Sequence, residues 1–170
     1  VAPACVPPVR GLLLAHEFLD DVPVEVVSEG LVLDSDGVPV GPAAPADLAW
    51  LQEWAGGDSG VVGRRRDEVW RALTSRVVVG EAIAVDYAGG GPVGHWHGRR
   101  HTACDGVDIS AGVEFRSCRA ATGGRLVPQH RILADLEPQD VQGAAELAVL
   151  RDRAGFGAFQ WLITDQVSQC

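Results

Sequence analysis

The stretch Gly11-Leu12-Leu13-Leu14-Ala15-His16-Glu17 is the strongest indication of the fold in this chain. Residues without a polar side chain are followed directly by an imidazole and a carboxylate. A short, wholly apolar run predicts a strand buried on both faces, as in a parallel sheet. The polar pair would then lie just beyond the carboxyl end of the strand, where α/β folds place ligands and chemistry.

A second run of this kind, Ala82–Val85, precedes Asp86 and Tyr87. The spacing of Val69, Trp70, Leu73 and Val77 predicts a helix over residues 62–77, with Arg64, Arg65 and Arg66 as a solvated first turn. A helix followed by a parallel-type strand is typical of a βαβ unit and predicts an α/β fold. Asp86 and Tyr87 are then the polar groups at the carboxyl end of this second buried strand.

The remaining elements are expected from turn and cap signals. A β-ribbon is predicted from Val22 to Val40, around the turn Asp34-Ser35-Asp36-Gly37. In chain order, the other expectations are a short helix over 48–54 capped near Asp47, a loop over 88–105, a helix beginning near Ser110 and stopped by Gly123-Gly124, a strand at 125–127, helices near 129–136 and 139–152, and a last strand at 156–164.

Composition limits the class of protein. The chain has 170 residues and a formal net charge of −9, which disfavours nucleic acid and anionic membranes as partners. No apolar run approaches the roughly 20 residues that span a bilayer. The four cysteines form no CxxC pair, so we interpret them as free thiols of a cytoplasmic protein.

Side chains that could carry chemistry cluster after the first strand. Glu17 and His16, with Asp20 nearby, could orient a cationic or polar substrate at the open end of the strand. A structural interpretation remains open, in which Asp20 and Asp21 are solvated turn residues and Glu17 only caps a helix.

Four segments, in order, resemble the MidA-type family of S-adenosylmethionine-dependent methyltransferases, which includes a mitochondrial complex I assembly factor. They are LLLAHEFLDDVPVEVV (12–27), GEAIAVDYAGG (80–90), CDGVDISAGVEF (104–115) and LVPQHRILADL (126–136). Departures from the family pattern are Ala88 for Gly, Ser110 for Thr and Glu114 for Asp.

The resemblance implies a fold and a domain boundary. It predicts the carboxyl half of a Rossmann-like class I methyltransferase sheet, strands four to seven, with a β-ribbon insertion. Residues 1–10 would be a leading loop or a truncated end, and residues 11–170 a single domain that is incomplete at its N-terminal side. The family's glycine-rich cofactor loop has no counterpart here, and the chain contains no Met, so we expect a truncated chain that self-associates.

The same resemblance implies a function. It predicts methyl transfer from S-adenosylmethionine to a protein, at an arginine side chain. Glu17 and His16 would be catalytic, and the substrate or cofactor side would include Asp20, Asp86, Tyr87 and Asp108. Two alternatives stay open: a truncated relative without activity, and a small zinc-binding or interaction module.

The second alternative rests on the segment from His95 to Cys104. Three imidazoles and a thiol, at His95, His97, His101 and Cys104, could ligate zinc. Their spacing matches no common structural zinc pattern, and Arg99 and Arg100 lie between the imidazoles. The resemblance implies a loop rich in His and Arg in this region, so a cationic loop on the substrate side is the favoured interpretation, and no metal is expected.

Overall fold

The computed structural model describes residues 3–89, 94–97, 100–102 and 109–166. Its elements, in chain order, are β1 (Val9–His16), β2 (Glu25–Ser28), β3 (Leu31–Leu33), β4 (Pro39–Pro42), α1 (Pro45–Trp54), β5 (Gly60–Val62), α2 (Arg64–Thr74), β6 (Val77–Asp86), β7 (Gly94–His97), β8 (Arg100–Thr102), β9 (Ile109–Ser110), α3 (Phe115–Thr122), β10 (Arg125–Pro128), α4 (Gln129–Ile132), α5 (Val141–Arg151) and β11 (Gln160–Gln166). Short 3₁₀ turns lie at Pro3–Cys5 and Phe156–Ala158.

The main sheet has the strand order β1-β6-β11-β10. β1 and β6 are parallel, with His16 opposite Val85 at their carboxyl ends. β11 is antiparallel to both of its neighbours, so β10 runs in the same direction as β6. The predicted α/β class and the predicted parallel pair are confirmed.

A second, antiparallel sheet has the order β4-β3-β2-β5 and follows β1 in the chain. The β-ribbon predicted over 22–40 is confirmed, and β5 extends it by pairing with β2. The loop predicted over 88–105 is wrong in part, because β7 and β8 pair within it and β9 joins them in a third sheet.

Two apolar clusters form the core. The larger one packs α2 and α3 against one face of the main sheet, and its fully buried members include Leu19, Trp70, Val113 and Leu162. The smaller one lies between α1 and the antiparallel sheet, with Val27, Trp50, Leu51 and Val62. Trp54, one helical turn after Trp50, packs against this second cluster.

The prediction that the Gly11–Ala15 strand is buried on both faces is wrong. Leu13 packs against the larger cluster, but Leu12 and Leu14 remain 58% and 56% exposed. Within the described residues, β1 has a neighbouring strand on one side only. α2 and α3 cover the face of the sheet that carries Leu13, and not the face that carries Leu12 and Leu14.

Several predicted helix boundaries also need correction. Asp47 does not cap α1, which begins at Pro45; its carboxylate instead accepts a hydrogen bond from Arg64 Nε. Ser110 lies in β9, and α3 begins at Phe115, where the Glu114 side chain accepts from the Arg116 N–H. The helix predicted over 62–77 spans only Arg64–Thr74, because residues on either side pair in strands.

The carboxyl-terminal elements follow the predicted order but are shorter. α4 and α5 span Gln129–Ile132 and Val141–Arg151, and the last strand begins at Gln160 rather than 156. The stop at Gly123 and the strand after it are confirmed. In the part of the chain that the structure describes, no helix is both long enough and apolar enough to cross a membrane.

Candidate functional site

The candidate site lies where β1 and β6 end side by side. His16 is the last residue of β1 and Glu17 follows it; Asp86 is the last residue of β6 and Tyr87 follows it. The parallel register brings these four residues to one edge of the sheet. Phe159, just before β11, completes the cluster.

Glu17 is held in an uncommon backbone conformation. Its φ angle is 45°, in the left-handed region that few residues other than glycine adopt. Its N–H donates to the Val85 carbonyl at 2.9 Å, which fastens the end of β1 to β6. Its side chain accepts a hydrogen bond from the Tyr87 hydroxyl at 3.3 Å. Such strain concentrates at functional sites, because the surrounding structure has to hold it in place.

The Glu17 carboxylate remains accessible to solvent. Oε2 accepts from Tyr87, whereas Oε1 lies 3.7 Å from His16 Nδ1. Both side chains are about half exposed, at 41% for Glu17 and 54% for His16. A ligand with a positive or hydrogen-bonding group could therefore reach this carboxylate.

Aromatic rings line one side of the cluster. The Tyr87 ring meets the buried Phe159 ring edge to face, with centroids 4.2 Å apart, and the Phe156 and His16 rings lie 5.6 and 6.4 Å from Phe159. Burial, followed by the charge of Glu17, raises the pKa of Tyr87 to about 12. Tyr87 therefore stays protonated at neutral pH and can donate to Glu17.

Asp86 faces the interior of the protein. It is 1% exposed, and its Oδ2 accepts the N–H groups of Leu19 and Asp20 at 3.0 and 3.1 Å. Its Oδ1 accepts the N–H of Tyr87 at 2.8 Å. Burial, with the charge of Asp20 second, raises the pKa of Asp86 to about 6. The prediction that Asp86 lines a substrate mouth does not fit this geometry, since its oxygens hold backbone amides.

Asp20 lies between the surface and the interior. Its Oδ1 is buried without a hydrogen-bond partner among the described residues. Burial is the main cause that raises the pKa of this carboxyl group, and the neighbouring Asp21 adds to it. Asp20 is therefore close to the site but is not part of an open acidic surface.

Sequence reasoning missed Arg66, which was predicted to be solvated. Arg66 is 1% exposed, and its guanidinium donates to the carbonyls of Asp20 and Gly112, both at 2.8 Å. The helical phase could have revealed it, because residue 66 precedes Trp70 and Leu73 by four and seven positions and so shares their buried face. Phe159 was predicted only as part of the last strand.

Other predicted site residues lie beyond what the structure describes. Asp108 and Cys104 are outside the described residues, and for His95, His97 and His101 only the backbone strands β7 and β8 are described. Among the described residues, no three His, Cys, Asp or Glu side chains are grouped as metal ligands. Cys5 and Cys118 are free thiols, the first exposed and the second buried.

The described residues do not form a complete cradle for a nucleoside cofactor. Such cradles use a glycine-rich turn between a strand and the helix that follows. Among the described residues, β4, β5, β9 and β10 lead into helices through at most four residues, and none of these junctions holds more than one glycine. A Cβ at Gly63 would lie 2.7 Å from the Trp50 ring, and a Cβ at Gly112 would lie 1.9 Å from the Gly89 carbonyl oxygen, so both positions are already filled. The described glutamate and aromatic side chains could contact only part of such a cofactor.

A cavity of about 300 Å³ lies elsewhere, between Pro23–Glu25 and Arg64–Arg65. None of the cluster residues lines it. Arg64 in its wall is already paired with Asp47 and Glu68.

Comparison with known proteins gives the fold a precedent. No family model and no curated protein matches the chain. Two solved structures from Burkholderia thailandensis, both of the same superfamily, match it at 21% identity over 95% of its length. One is an uncharacterised protein (TM-score 0.65), and the other, described as a "likely methyl transferase", is bound to S-adenosyl-homocysteine (TM-score 0.67).

The chain spans 57% and 55% of the length of these two proteins. At this level of identity, the likeness concerns the fold. It establishes that the described arrangement of strands and helices is a known one and that it forms part of a larger chain in both neighbours.

Proposed function

We propose that this chain is the acceptor-side part of an S-adenosylmethionine-dependent methyltransferase domain that acts on a protein side chain. The observation that carries the proposal is the Glu17 carboxylate held by the Tyr87 hydroxyl at the carboxyl ends of two parallel strands. The fold matches, over nearly all of this chain, a protein with S-adenosyl-homocysteine bound, which supports this choice of cofactor. S-adenosylmethionine would supply the methyl group.

Glu17 would bind the methyl acceptor. An arginine side chain fits the carboxylate best, because a guanidinium presents parallel N–H donors and remains charged. The ring of Tyr87, which is 42% exposed and packs on the buried Phe159, adds a surface that favours a cation nearby. Glu17 Oε1, which Tyr87 does not occupy, could also receive the proton that the acceptor nitrogen must lose.

In this proposal, the main sheet corresponds to strands four to seven of the class I fold. The order β1-β6-β11-β10, with only β11 reversed, supports that assignment. The cofactor's glycine-rich loop would belong to polypeptide that is not in this sequence. The 170-residue chain should therefore bind S-adenosylmethionine weakly or not at all.

Calorimetric titration tests the cofactor assignment. The 170-residue chain should give no measurable heat of binding, whereas a protein that adds any sequence encoded immediately before Val1 should bind S-adenosylmethionine. Micromolar binding of S-adenosylmethionine by the 170-residue chain would contradict the proposal that the main cofactor contacts lie outside this sequence. A lengthened protein that neither binds the cofactor nor methylates any protein would favour a relative without activity.

Glu17→Gln tests the role of the carboxylate in that lengthened protein. Loss of the charge should reduce turnover by roughly 10²- to 10⁴-fold. Affinity for the cofactor should change little, since its main contacts lie elsewhere. The measurement is transfer of a labelled methyl group to protein, together with a cofactor titration.

Glu29→Gln is the matched control for Glu17→Gln. Glu29 is also an exposed glutamate with positive φ, but it lies in the turn between β2 and β3. Its replacement should leave methyl transfer intact. Equal losses from the two variants would remove the special role of Glu17.

A further inference from the structure

Arg66 is a fully buried arginine on the face of α2 that packs into the larger core. It is 1% exposed and shares its helix face with Trp70 and Leu73. Its Nε has no partner among the described residues. Burial lowers its pKa, opposed first by the charge of Asp86 and then by that of Asp20. An apolar side chain at such a position would often be at least as stabilising, so the charge calls for another explanation.

The guanidinium joins two segments that are distant in sequence. Nη2 donates to the carbonyl of Asp20, in the turn that follows Glu17, and Nη1 donates to the carbonyl of Gly112. A planar guanidinium fixes the directions of both bonds at once, which an ammonium does not do. Arg66 therefore sets the separation of these two carbonyls.

The segment around Gly112 in turn supports Tyr87. The Val113 N–H donates to the Tyr87 carbonyl at 2.8 Å, and the Gly89 N–H donates to the Val113 carbonyl. A Cβ at Gly112 would lie 1.9 Å from the Gly89 carbonyl oxygen, so the two backbones are in direct contact. The bond from Arg66 to Gly112 therefore holds the segment that contacts Tyr87, and the bond from Arg66 to Asp20 holds the turn that follows Glu17.

Asp86 fastens the same two sides through backbone amides. Its Oδ2 accepts from Leu19 and Asp20, and its Oδ1 accepts from Tyr87. Arg66 binds carbonyls and Asp86 binds N–H groups, so the turn after Glu17 is held through both kinds of backbone group. Their opposite charges lie in the same buried region.

We propose that Arg66 is a positioning residue, which, together with Asp86, holds the turn after Glu17 against the segment beside Tyr87 and so maintains the Glu17–Tyr87 contact. The expected consequence for methyl transfer rests on the proposed function. The positioning itself does not, since it concerns only contacts within this chain.

The test uses the fact that Tyr87 is the only tyrosine of the chain. A ¹³C label next to the phenol oxygen gives a single NMR resonance, which responds to the hydrogen bond that Tyr87 donates to Glu17. Glu17→Ala defines the resonance position without that bond. Arg66→Met should move the resonance toward this position, whereas Arg65→Met, at the exposed neighbouring residue, should leave it unchanged.

Hydrogen exchange supplies a second readout that does not need a stable Met variant. The amides of Leu19 and Asp20 should be protected in the unmodified chain. Arg66→Lys, which keeps the charge but loses the fork of donors, should increase their exchange at least about tenfold, the scale expected when a hydrogen bond to a charged group is lost. Arg65→Lys should not.

The outcomes separate this proposal from the proposed function. A folded Arg66→Met variant with the Tyr87 resonance of the unmodified chain would overturn the positioning role. Unprotected Leu19 and Asp20 amides in the unmodified chain would overturn it as well, even if both Arg66 variants fail to fold. If these contacts respond as expected while a lengthened protein transfers no methyl group, the proposed function fails and the positioning role stands.

Discussion

Asp86 shows how one buried carboxylate can determine the geometry of the whole cluster. Three backbone N–H groups donate to its two oxygens: two from the turn that follows β1, at Leu19 and Asp20, and one from Tyr87, directly after β6. Its position at the end of β6 indicates a functional side chain in an α/β fold. Its burial shows that it organises the site and that Glu17 is the carboxylate open to a ligand.

The raised pKa of Asp86 predicts a pH dependence of stability. The pKa is about 6 in the folded chain against an ordinary value of 3.8, so between these values the folded chain keeps a proton that the unfolded chain releases. The free energy of unfolding should therefore fall as pH rises through this interval, by at most about 3 kcal/mol from this group, and level off above it.

Asp86→Asn should reduce this fall, although it also lowers stability at every pH by removing one acceptor oxygen. Urea unfolding at pH 4 and pH 7 measures the difference for each variant. Asp36→Asn, at an exposed carboxylate in the β3–β4 turn, is the control and should retain the full fall. An unchanged fall in Asp86→Asn would contradict the assignment.

The helices are joined by a second buried carboxylate, Asp67 of α2. It accepts the Trp50 indole N–H from α1 and the Ser117 hydroxyl from α3, both at 2.7 Å. The two apolar clusters therefore meet at a polar contact whose members are all buried. Such a network specifies one arrangement of elements, because any displacement leaves a buried group unpaired.

Asp67→Ala should lower the free energy of unfolding by about 3 kcal/mol, since two buried donors lose a charged acceptor. Glu68→Ala, which removes the surface ion pair with Arg64, should cost less than about 1 kcal/mol. Denaturant titration of both variants measures the two effects. Similar small losses would show that the buried contact contributes little.

Strand pairing in the main sheet depends on a close approach of two glycines. Gly80 of β6 has φ of 125°, and a Cβ there would lie 1.9 Å from the carbonyl oxygen of Gly11 in β1. Gly80→Ala should therefore destabilise the chain by more than about 3 kcal/mol, because strain and a backbone clash add.

Gly37→Ala is the control that separates the cost of backbone strain from the cost of the steric clash at Gly80. Gly37 also has a positive φ, of 76°, but a Cβ there meets no atom within 4 Å. Its replacement should cost only about 1 kcal/mol. Thermal or denaturant unfolding measures both variants, and equal costs would mean that β1 can move away from β6 without penalty.

On the scale of the whole molecule, the main sheet has an exposed apolar surface formed by side chains of β1 and of the neighbouring strand β6. Leu12 and Leu14 are more than half exposed, and Val79 on the adjacent strand is 41% exposed. An edge strand with apolar side chains and free backbone groups tends to recruit another chain. The 170-residue chain should therefore associate as its concentration rises.

Leu14→Lys should shift this association to higher concentration, since a charge on the strand opposes pairing. Val141→Lys, at a residue of α5 that is 88% exposed, adds the same charge elsewhere and should leave association unchanged. Sedimentation velocity over a range of concentrations distinguishes the two. A monomer at all concentrations would contradict the role assigned to the β1 edge.

The sequence by itself determined the local features of this protein. Apolar runs followed by polar residues predict β1 and β6, and the Asp34–Gly37 turn predicts the ribbon, in which Asp34 Oδ1 accepts the N–H groups of Asp36 and Val38. These elements can be predicted from the sequence because each depends on residues that are close together in the chain. The resemblance, rather than these local signals, predicts a common site for Glu17, His16 and Tyr87, and the parallel register of β1 and β6 brings the three residues to one edge of the sheet.

Only the tertiary structure decided what surrounds the polar residues that face inward. The phase of α2 already distinguishes Arg66 from Arg65, but the Asp20 and Gly112 carbonyls that accept from the buried guanidinium come from distant segments. Asp86 and Glu17 both follow apolar strands, but the turn over Phe18–Asp21 covers Asp86 and leaves Glu17 open. The reason is that burial of a charge is favourable only when donors and acceptors from distant segments converge on it, and that convergence is a property of the folded chain.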